Sequence, residues 1–487
     1  CYTFQYMPGT TTYLDTPVLP VSAFASGDNP VDCAAGDGMP VISRVRWNNN
    51  FDGPWYRTRG PNAATTTRVI DIRSARNERV PNPAYEGPLA TGLAGQKTIV
   101  RDHGFGGTTG TVTVDGTPLT ITSWNNRRIR ATIEAQITTP LSGQLVVTRG
   151  DNGNSTEAGI TVTVSAVEPI RVPADYPTIQ DAIDAATAGD LILVAPGVYN
   201  ESVIMWKPVR LQGAGAGSTI INAVNVPTDR LVAWREKMDS LFAGGEVDSL
   251  PGQLEGADGF NKSEGAAITV LGVFDPGQGE PPANSFLRSA VPARIDGFGI
   301  TGSTVGGGIL VNSNADRIEI SNNRVFGNSG SYGGGIRVGE PYLLPDGDGP
   351  YAYNTNVNIH DNVVVQNAGR DGAGGGVSLN MGSDNYTVSN NFVCGNFTLG
   401  DGGGIGHLGL SDRGDIENNR VLFNQSFNQA VNVSGGGIFV AGEPNAGGVL
   451  TKGSGSVDID FNLIQGNHAG AGHGGGIRTQ FVNGQDV

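Results

Sequence analysis

Beyond about residue 168 the apolar residues come in short alternating runs, spaced too tightly to leave room for helices between them. LILVA, SVIM, VRLQG and TIINA follow in quick succession. Later, Ile318 with Ile320, Val357 with Ile359 and Val457 with Ile459 alternate with polar neighbours. Alternation with a period of two marks strands, and a chain of strands without crossover helices has to coil. One helix precedes the coils: Ile179, Ala182, Ile183 and Ala186 share a helical face, Pro177 suits the start and Gly189-Asp190 the stop. A second helical spacing, at Leu231, Trp234, Met238, Leu241 and Phe242, predicts an insertion packed on the flank of the coils.

Repeats support the coiling. A glycine triplet followed by an aliphatic residue recurs at Ile309, Ile336, Val377, Ile405, Ile438 and Ile477, with shortest separations of 27 and 28 residues. Offset from it runs N-x-(V/I)-x-x-N, at Asn323-Val325-Asn328, Asn362-Val364-Asn367, Asn391-Val393-Asn396, Asn419-Val421-Asn424 and Asn462-Ile464-Asn467. Such a padded period is that of a solenoid. Coils about 4.8 Å apart stack equivalent residues, so the valines form one interior file. Asn323, Asn362, Asn391, Asn419 and Asn462 then form a structural hydrogen-bonded ladder, and the glycines serve positive φ or close backbone approach.

Upstream, VIDI, KTIV, TVTV, PLTITSW, RIRATI, GQLVVTR and GITVTV are short strands separated by Gly, Asn and Asp turns. This predicts an immunoglobulin-like sandwich over 68–166. The expected organisation is all-β: a short β-rich segment over 1–67, read as the tail of a preceding module, then the sandwich, then a right-handed parallel β-helix with an N-terminal cap helix over 167–487. The last coil lacks a polar cap, so further coils or a partner are expected after Val487.

Composition narrows the chemistry. Glycine, at 75 of 487 residues, is about twice ordinary usage. The net charge of -15 argues against a nucleic-acid partner. No apolar run approaches the roughly 20 residues of a membrane span. The three cysteines, Cys1, Cys33 and Cys394, exclude a disulfide scaffold. Cys1 with Cys33 is the expected disulfide, and Cys394 is read as a core thiol.

Chemistry is sought at outward positions. Following each triplet and its aliphatic, Leu310, Arg337, Ser378, Gly406, Phe439 and Arg478 are expected to point out, and Arg337, Phe439 and Arg478, with His360 on another strand, are the binding candidates. Asp415, Glu417, Asp458 and Asp460 would crowd neighbouring coils and are the catalytic candidates. Clustered carboxylates bind a cation or raise one another's pKa, and a pair of them serves glycoside hydrolysis. Oxygen-only ligands suit Ca²⁺, with Asp346, Asp348, Asp458 and Asp460 as candidates, although no cofactor is required. A solvated acidic face accounts for the same residues. His407 is read as inward and hydrogen-bonded, and no zinc motif or GxSxG elbow occurs. Insertions at 274–293, 339–356 and 441–456 should gather on one side as an interaction face.

Two resemblances sharpen the reading. Gly104–Gly107, Val112, Val114, Ser123-Trp124 and Leu145–Val147 resemble IPT/TIG domains, which implies a spacer, and Trp124 is read as a packing residue. Tyr176–Gln180, Ala182-Ile183, Gly189-Asp190, Pro196–Tyr199, Glu201 and Thr219–Ile221 resemble the cap and first coils of pectin-lyase-like β-helix proteins. That fold hosts esterases, lyases, epimerases and non-catalytic surface proteins. The esterase motifs QAVF, QDTL and DFIFG are absent from the sequence. Two functions follow. The first is a secreted or cell-surface bacterial scaffold or adhesin whose acidic β-helix binds glycans or surface proteins, or self-assembles. The second is a polysaccharide lyase, hydrolase or epimerase. The missing motifs favour the first.

Overall fold

The computed structural model describes residues 31–47, 51–57, 68–133, 141–224, 228–248, 265–275, 283–340, 354–428, 431–442, 453–470 and 472–482. After Glu168 the chain is the expected parallel β-helix. Among the described residues its strands stack into parallel sheets of nine, eight and eight strands, with a fourth of five short strands. The first sheet runs from Ile170–Val172 to Val457–Asp460, the second from Gly197–Tyr199 to Leu463–Gln465 and the third from Val203–Met205 to Ile477–Gln480.

Both repeats take physical form in the stack. Val325, Val364, Val393, Val421 and Ile464 are consecutive register partners, and the four valines are fully buried. From Asn362 on, each ladder asparagine accepts, at its side-chain oxygen, from the backbone and side-chain amides of the asparagine one coil earlier: Asn362 to Asn391 at 3.0 and 3.0 Å, Asn391 to Asn419 at 2.9 and 3.0 Å. A second ladder runs through Asn328, Asn367, Asn396, Asn424 and Asn467. Each corner before the first ladder is a single residue with positive φ: Asn322, Asp361, Asn390, Asn418 and Phe461.

The glycine triplets answer to the other motif. A Cβ on Gly376 would lie 2.8 Å from both Val393 Cγ1 and Asn396 Nδ2 of the next coil, and one on Gly404 would meet Val421 and Asn424 in the same way. The third glycine is therefore required by close approach, because the valine and asparagine of the next coil fill the space.

Helix α1 (Ile179–Ala185) caps the first coil, with Thr178 accepting from the Asp181 amide and Ile179, Ala182 and Ile183 in the core. Helix α2 (Asp229–Ala243) lies on the flank of the solenoid, where Trp234, Met238 and Leu241 pack on Ile204, Leu271 and Leu310 outside the third sheet.

The sandwich has two five-stranded sheets around one core. Three strands from before residue 68 belong to it. Ile42–Trp47 pairs with Phe51–Asp52 and with Val69–Ser74, and Trp55–Arg57 pairs with Ile160–Ser165, so residues before 68 supply strands to both sheets. Trp124 donates from Nε1 to the Gly106 carbonyl at 3.2 Å and packs on Phe105, a packing role.

Candidate functional site

Sandwich and solenoid are joined through a buried carboxylate. Asp296, fully buried on the first sheet, accepts from the Thr161 amide (3.1 Å) and hydroxyl (2.6 Å), Gln212 Nε2 (2.5 Å), Ser321 Oγ (2.7 Å) and Asn322 Nδ2 (2.6 Å). Arg294 links Gln212 to the sandwich hydroxyl of Thr163. Five donors let an anion stay in a dry interface. This junction holds the hairpin of Arg76–Pro81 and Thr98–His103 over the outer face of the second sheet.

That outer face is apolar, with Phe326, Val363, Val365, Phe392, Cys394 and Leu422 clustered together. Residues 31–37 cross it as a strap. Asp32 pairs with Arg101, His103 Nε2 lies 3.1 Å from the Ala35 carbonyl, and Cys33 is disulfide-bonded to Cys394. The expected Cys1–Cys33 bond is thus corrected: Cys33 takes Cys394, so Cys394 is no free thiol. Cys1 lies outside the described residues. Sequence spacing could not reveal a partner that only the docking of sandwich on solenoid supplies.

Between strap, hairpin and second sheet lies a crevice of about 460 Å³. Val363, Val365 and Phe392 floor it, and Glu78, Arg79, Glu157 and Arg324 stand at its polar walls. His103, 1% exposed, sets Glu78: its Nδ1 lies 3.2 Å from Glu78 Oε2. That hydrogen bond, more than the nearby Arg324 charge, holds the Glu78 carboxyl below the usual carboxylate range, against the opposing effect of partial burial. Arg324 lies over the Phe326 ring at 4.8 Å, and Glu157 pairs with Arg420, which lies over Phe392 at 5.0 Å. The arrangement offers an anionic carboxylate, a second carboxylate and two guanidinium groups above an apolar floor. A groove of this kind at a domain boundary suits a polymer with both C–H faces and hydroxyls. No motif marks it, because its charged groups come from distant segments of the chain.

The residues singled out in the sequence are placed differently. Asp415 with Asp458 and Glu417 with Asp460 are register neighbours on the first sheet. Asp415, Asp458 and Asp460 are exposed and Glu417 is half-buried, so the four form a strip along the outer face rather than a cleft. Among the described residues no group of three or more His, Cys, Asp or Glu is arranged to hold a metal ion. Asp346 and Asp348 lie outside the described residues, as do most of the insertions at 339–356 and 441–456.

The outward row on the third sheet is corrected as a binding surface at Arg337 and Phe439, each 1% exposed. The first glycine of a triplet doubles back against the outward side chain four residues on: a Cβ on Gly435 would sit 2.7 Å from Phe439 Cβ, and one on Gly474 2.9 Å from Arg478 Cβ. The connecting turn therefore covers the row. Arg337 lies over the Tyr332 ring and faces Glu340, Phe439 packs with Ala373 and Ala441, and Arg478 is half-buried. His360 sits between Glu319 (3.1 Å) and Asp361 (2.8 Å), and these carboxylates raise its pKa to about 9 against the lowering effect of burial. His407 is fully buried and inward, as expected, with Nδ1 2.8 Å from the Tyr386 hydroxyl and Nε2 near the Gly409 and Ser454 carbonyls.

The solved structures similar to this chain include two pectin methylesterases. One is a pectin methylesterase from Aspergillus niger, at 14% identity and a TM-score of 0.28, covering 62% of this chain and 85% of its own. The other is a pectin methylesterase mutant in complex with a hexasaccharide, at 13% and 0.24, covering 52% and 66%. No family model and no curated protein matches the chain.

Proposed function

We propose that this protein is a polysaccharide-active enzyme that works in the crevice between sandwich and solenoid. The observation that carries the reading is a groove that presents two carboxylates, Glu78, hydrogen-bonded to His103, and Glu157, above an apolar floor. Glycoside hydrolysis needs two carboxylates, one to protonate the leaving oxygen and one to activate water or stabilise the developing cation. Glu78 and Glu157 are the two carboxylates this groove supplies, while Arg79 and Arg324 orient hydroxyls or carboxylates of the chain. The sandwich, read as IPT/TIG-like, then supplies a wall of the site as well as spacing. A disulfide fits an oxidising, extracellular setting, and no described helix is long and apolar enough to cross a membrane.

The test is a screen of neutral and uronate polysaccharides for new reducing ends and unsaturated products, with and without Ca²⁺. Cleavage that falls about 10²–10⁴-fold in Glu78→Gln supports the reading. Glycan binding without turnover would favour the scaffold or adhesin instead, a reading suited to the flat acidic strip of Asp415, Glu417, Asp458 and Asp460.

A further inference from the structure

The two sheets of the sandwich differ in what meets their outer faces. The sheet that holds Leu141–Thr148 and Ile160–Ser165 docks on the solenoid: Thr161 bonds Asp296, Thr163 and Ser142 bond Arg294, and Gln144 bonds Asn322. The outer face of the other sheet lies on the opposite side of the shared core. That sheet meets the solenoid at its strand Ile42–Trp47, where the Val45 amide donates to the Ala214 carbonyl.

The face so presented is an array of arginines. Cross-strand register places Arg44, Arg73, Arg128 and Asn125 in one row over four strands, and Arg46, Asp71, Arg130 and Ser123 in the next. Val45, Ile72 and Ile129 between the rows are core residues, so both rows point outward. Asp52 continues the second row beyond Arg46. Five arginines thus stand with two aspartates, an excess of positive charge on a chain whose net charge is -15. Asp71, 1% exposed, lies under the array: Arg128 donates to it from Nε at 2.8 Å, Arg73 Nε stands 3.0 Å away and Arg130 Nε 3.8 Å. One carboxylate does not neutralise three guanidinium groups. Burial holds the Arg73 pKa below its ordinary value, and repulsion from Arg128, Arg44 and Arg46 adds to this against the pull of Asp71. The side chains of Arg73, Arg128 and Arg130 are 30, 29 and 34% exposed, so the excess charge reaches solvent.

We propose that this face binds an anionic polysaccharide, lying across the strands along the row of Arg44, Arg73 and Arg128, as a surface separate from the crevice. Neighbouring strands stand about 4.8 Å apart, so the row sets positive charges at regular steps against a polymer with repeated carboxylates or sulfates, groups that guanidinium pairs with strongly. Ser123 and Asn125, exposed on the next strand, stand where hydroxyls of the polymer would pass. The negative charge of the rest of the chain does not prevent contact, because exposed charges more than about 10 Å apart are largely screened at 0.1 M salt. That the polyanion is a polysaccharide rests on the function proposed above; that the face takes a polyanion rests on the arginines alone.

The test is calorimetric titration of the full chain with oligogalacturonate, dextran sulfate, neutral dextran and a single-stranded oligothymidylate. It is repeated on the double variant Arg44→Gln with Arg73→Gln, and on Arg324→Ala in the crevice. The expected result is binding of oligogalacturonate or dextran sulfate, which tells carboxylate from sulfate, weakened at least about tenfold in the double variant and unchanged in Arg324→Ala. Arg128 still pairs with Asp71 in the double variant, and melts run in parallel check its fold. Arg44→Gln alone leaves the three Asp71 contacts in place, should also weaken binding, and decides the matter if the double variant melts early. The proposal is overturned by no binding of either anion, by equal binding of neutral dextran, by indifference to both arginine variants, by tighter binding of oligothymidylate, or by loss in Arg324→Ala, which would put the ligand in the crevice. Turnover is read separately in Glu78→Gln, so failure of the enzyme reading leaves this outcome legible.

Discussion

Cys33 and Cys394, 361 residues apart in the chain, are bonded to each other with their Cα atoms 5.5 Å apart. The bond ties the strap of the sandwich side to the outer face of the second sheet, beside the floor of the crevice. Removing it with Cys33→Ala and Cys394→Ala together should cost about 2–5 kcal/mol, since the constraint on so long a loop is lost. Thermal melts of the double variant check this, and peptide mapping without reductant should recover the Cys33–Cys394 pair in the wild type. An unchanged melt would show that the strap is held by Arg101 and His103 alone.

Ladder asparagines are costly to replace. Asn391→Ala removes the acceptor for the Asn362 backbone and side-chain amides and the donor to the Ile359 carbonyl. Each buried group left unpaired costs about 1–3 kcal/mol, so denaturant unfolding should show a loss of at least about 3 kcal/mol. Gly376→Ala, whose methyl would press on Val393 and on the Gly404 carbonyl, should destabilise by about 1–3 kcal/mol.

Two histidines give opposite pH signatures. His360 has its pKa raised to about 9 by Asp361 and Glu319, so its stabilisation is complete below the unfolded value of about 6.5 and is lost as pH rises through 9. The melting difference between wild type and His360→Gln should shrink across that window. Burial lowers His407 to about 4. Its neutral form is the native one, so stability falls as pH drops from about 6.5 towards 4, and His407→Gln should flatten that slope.

The acidic strip repels itself. Asp415 and Asp458 are direct cross-strand partners, so Asp458→Asn should stabilise by about 0.2–1 kcal/mol in urea titrations. The gain should diminish in high salt.

Much of the solenoid is legible in the sequence because stacking turns periodicity into contact. Val325 and Val364 can be paired by their motif alone, as can Asn362 and Asn391. What alternation cannot tell is whether an outward residue is exposed: Arg337 and Phe439 point away from the core and are still covered by the turns of the glycine triplets. The crevice is silent in the sequence for another reason. Glu78, Glu157 and Arg324 meet only because Asp296 and its five donors set the sandwich on the first sheet, and no local pattern encodes that docking. The pairing of Cys33 is hidden by the same fact.

The most direct measurement compares kcat/KM on the best polysaccharide substrate for Glu78→Gln and for Asp458→Asn. Loss of about two orders of magnitude or more in Glu78→Gln, with Asp458→Asn near wild type, is the predicted result. Full activity in Glu78→Gln, or loss confined to Asp458→Asn, would contradict placing the chemistry in the crevice.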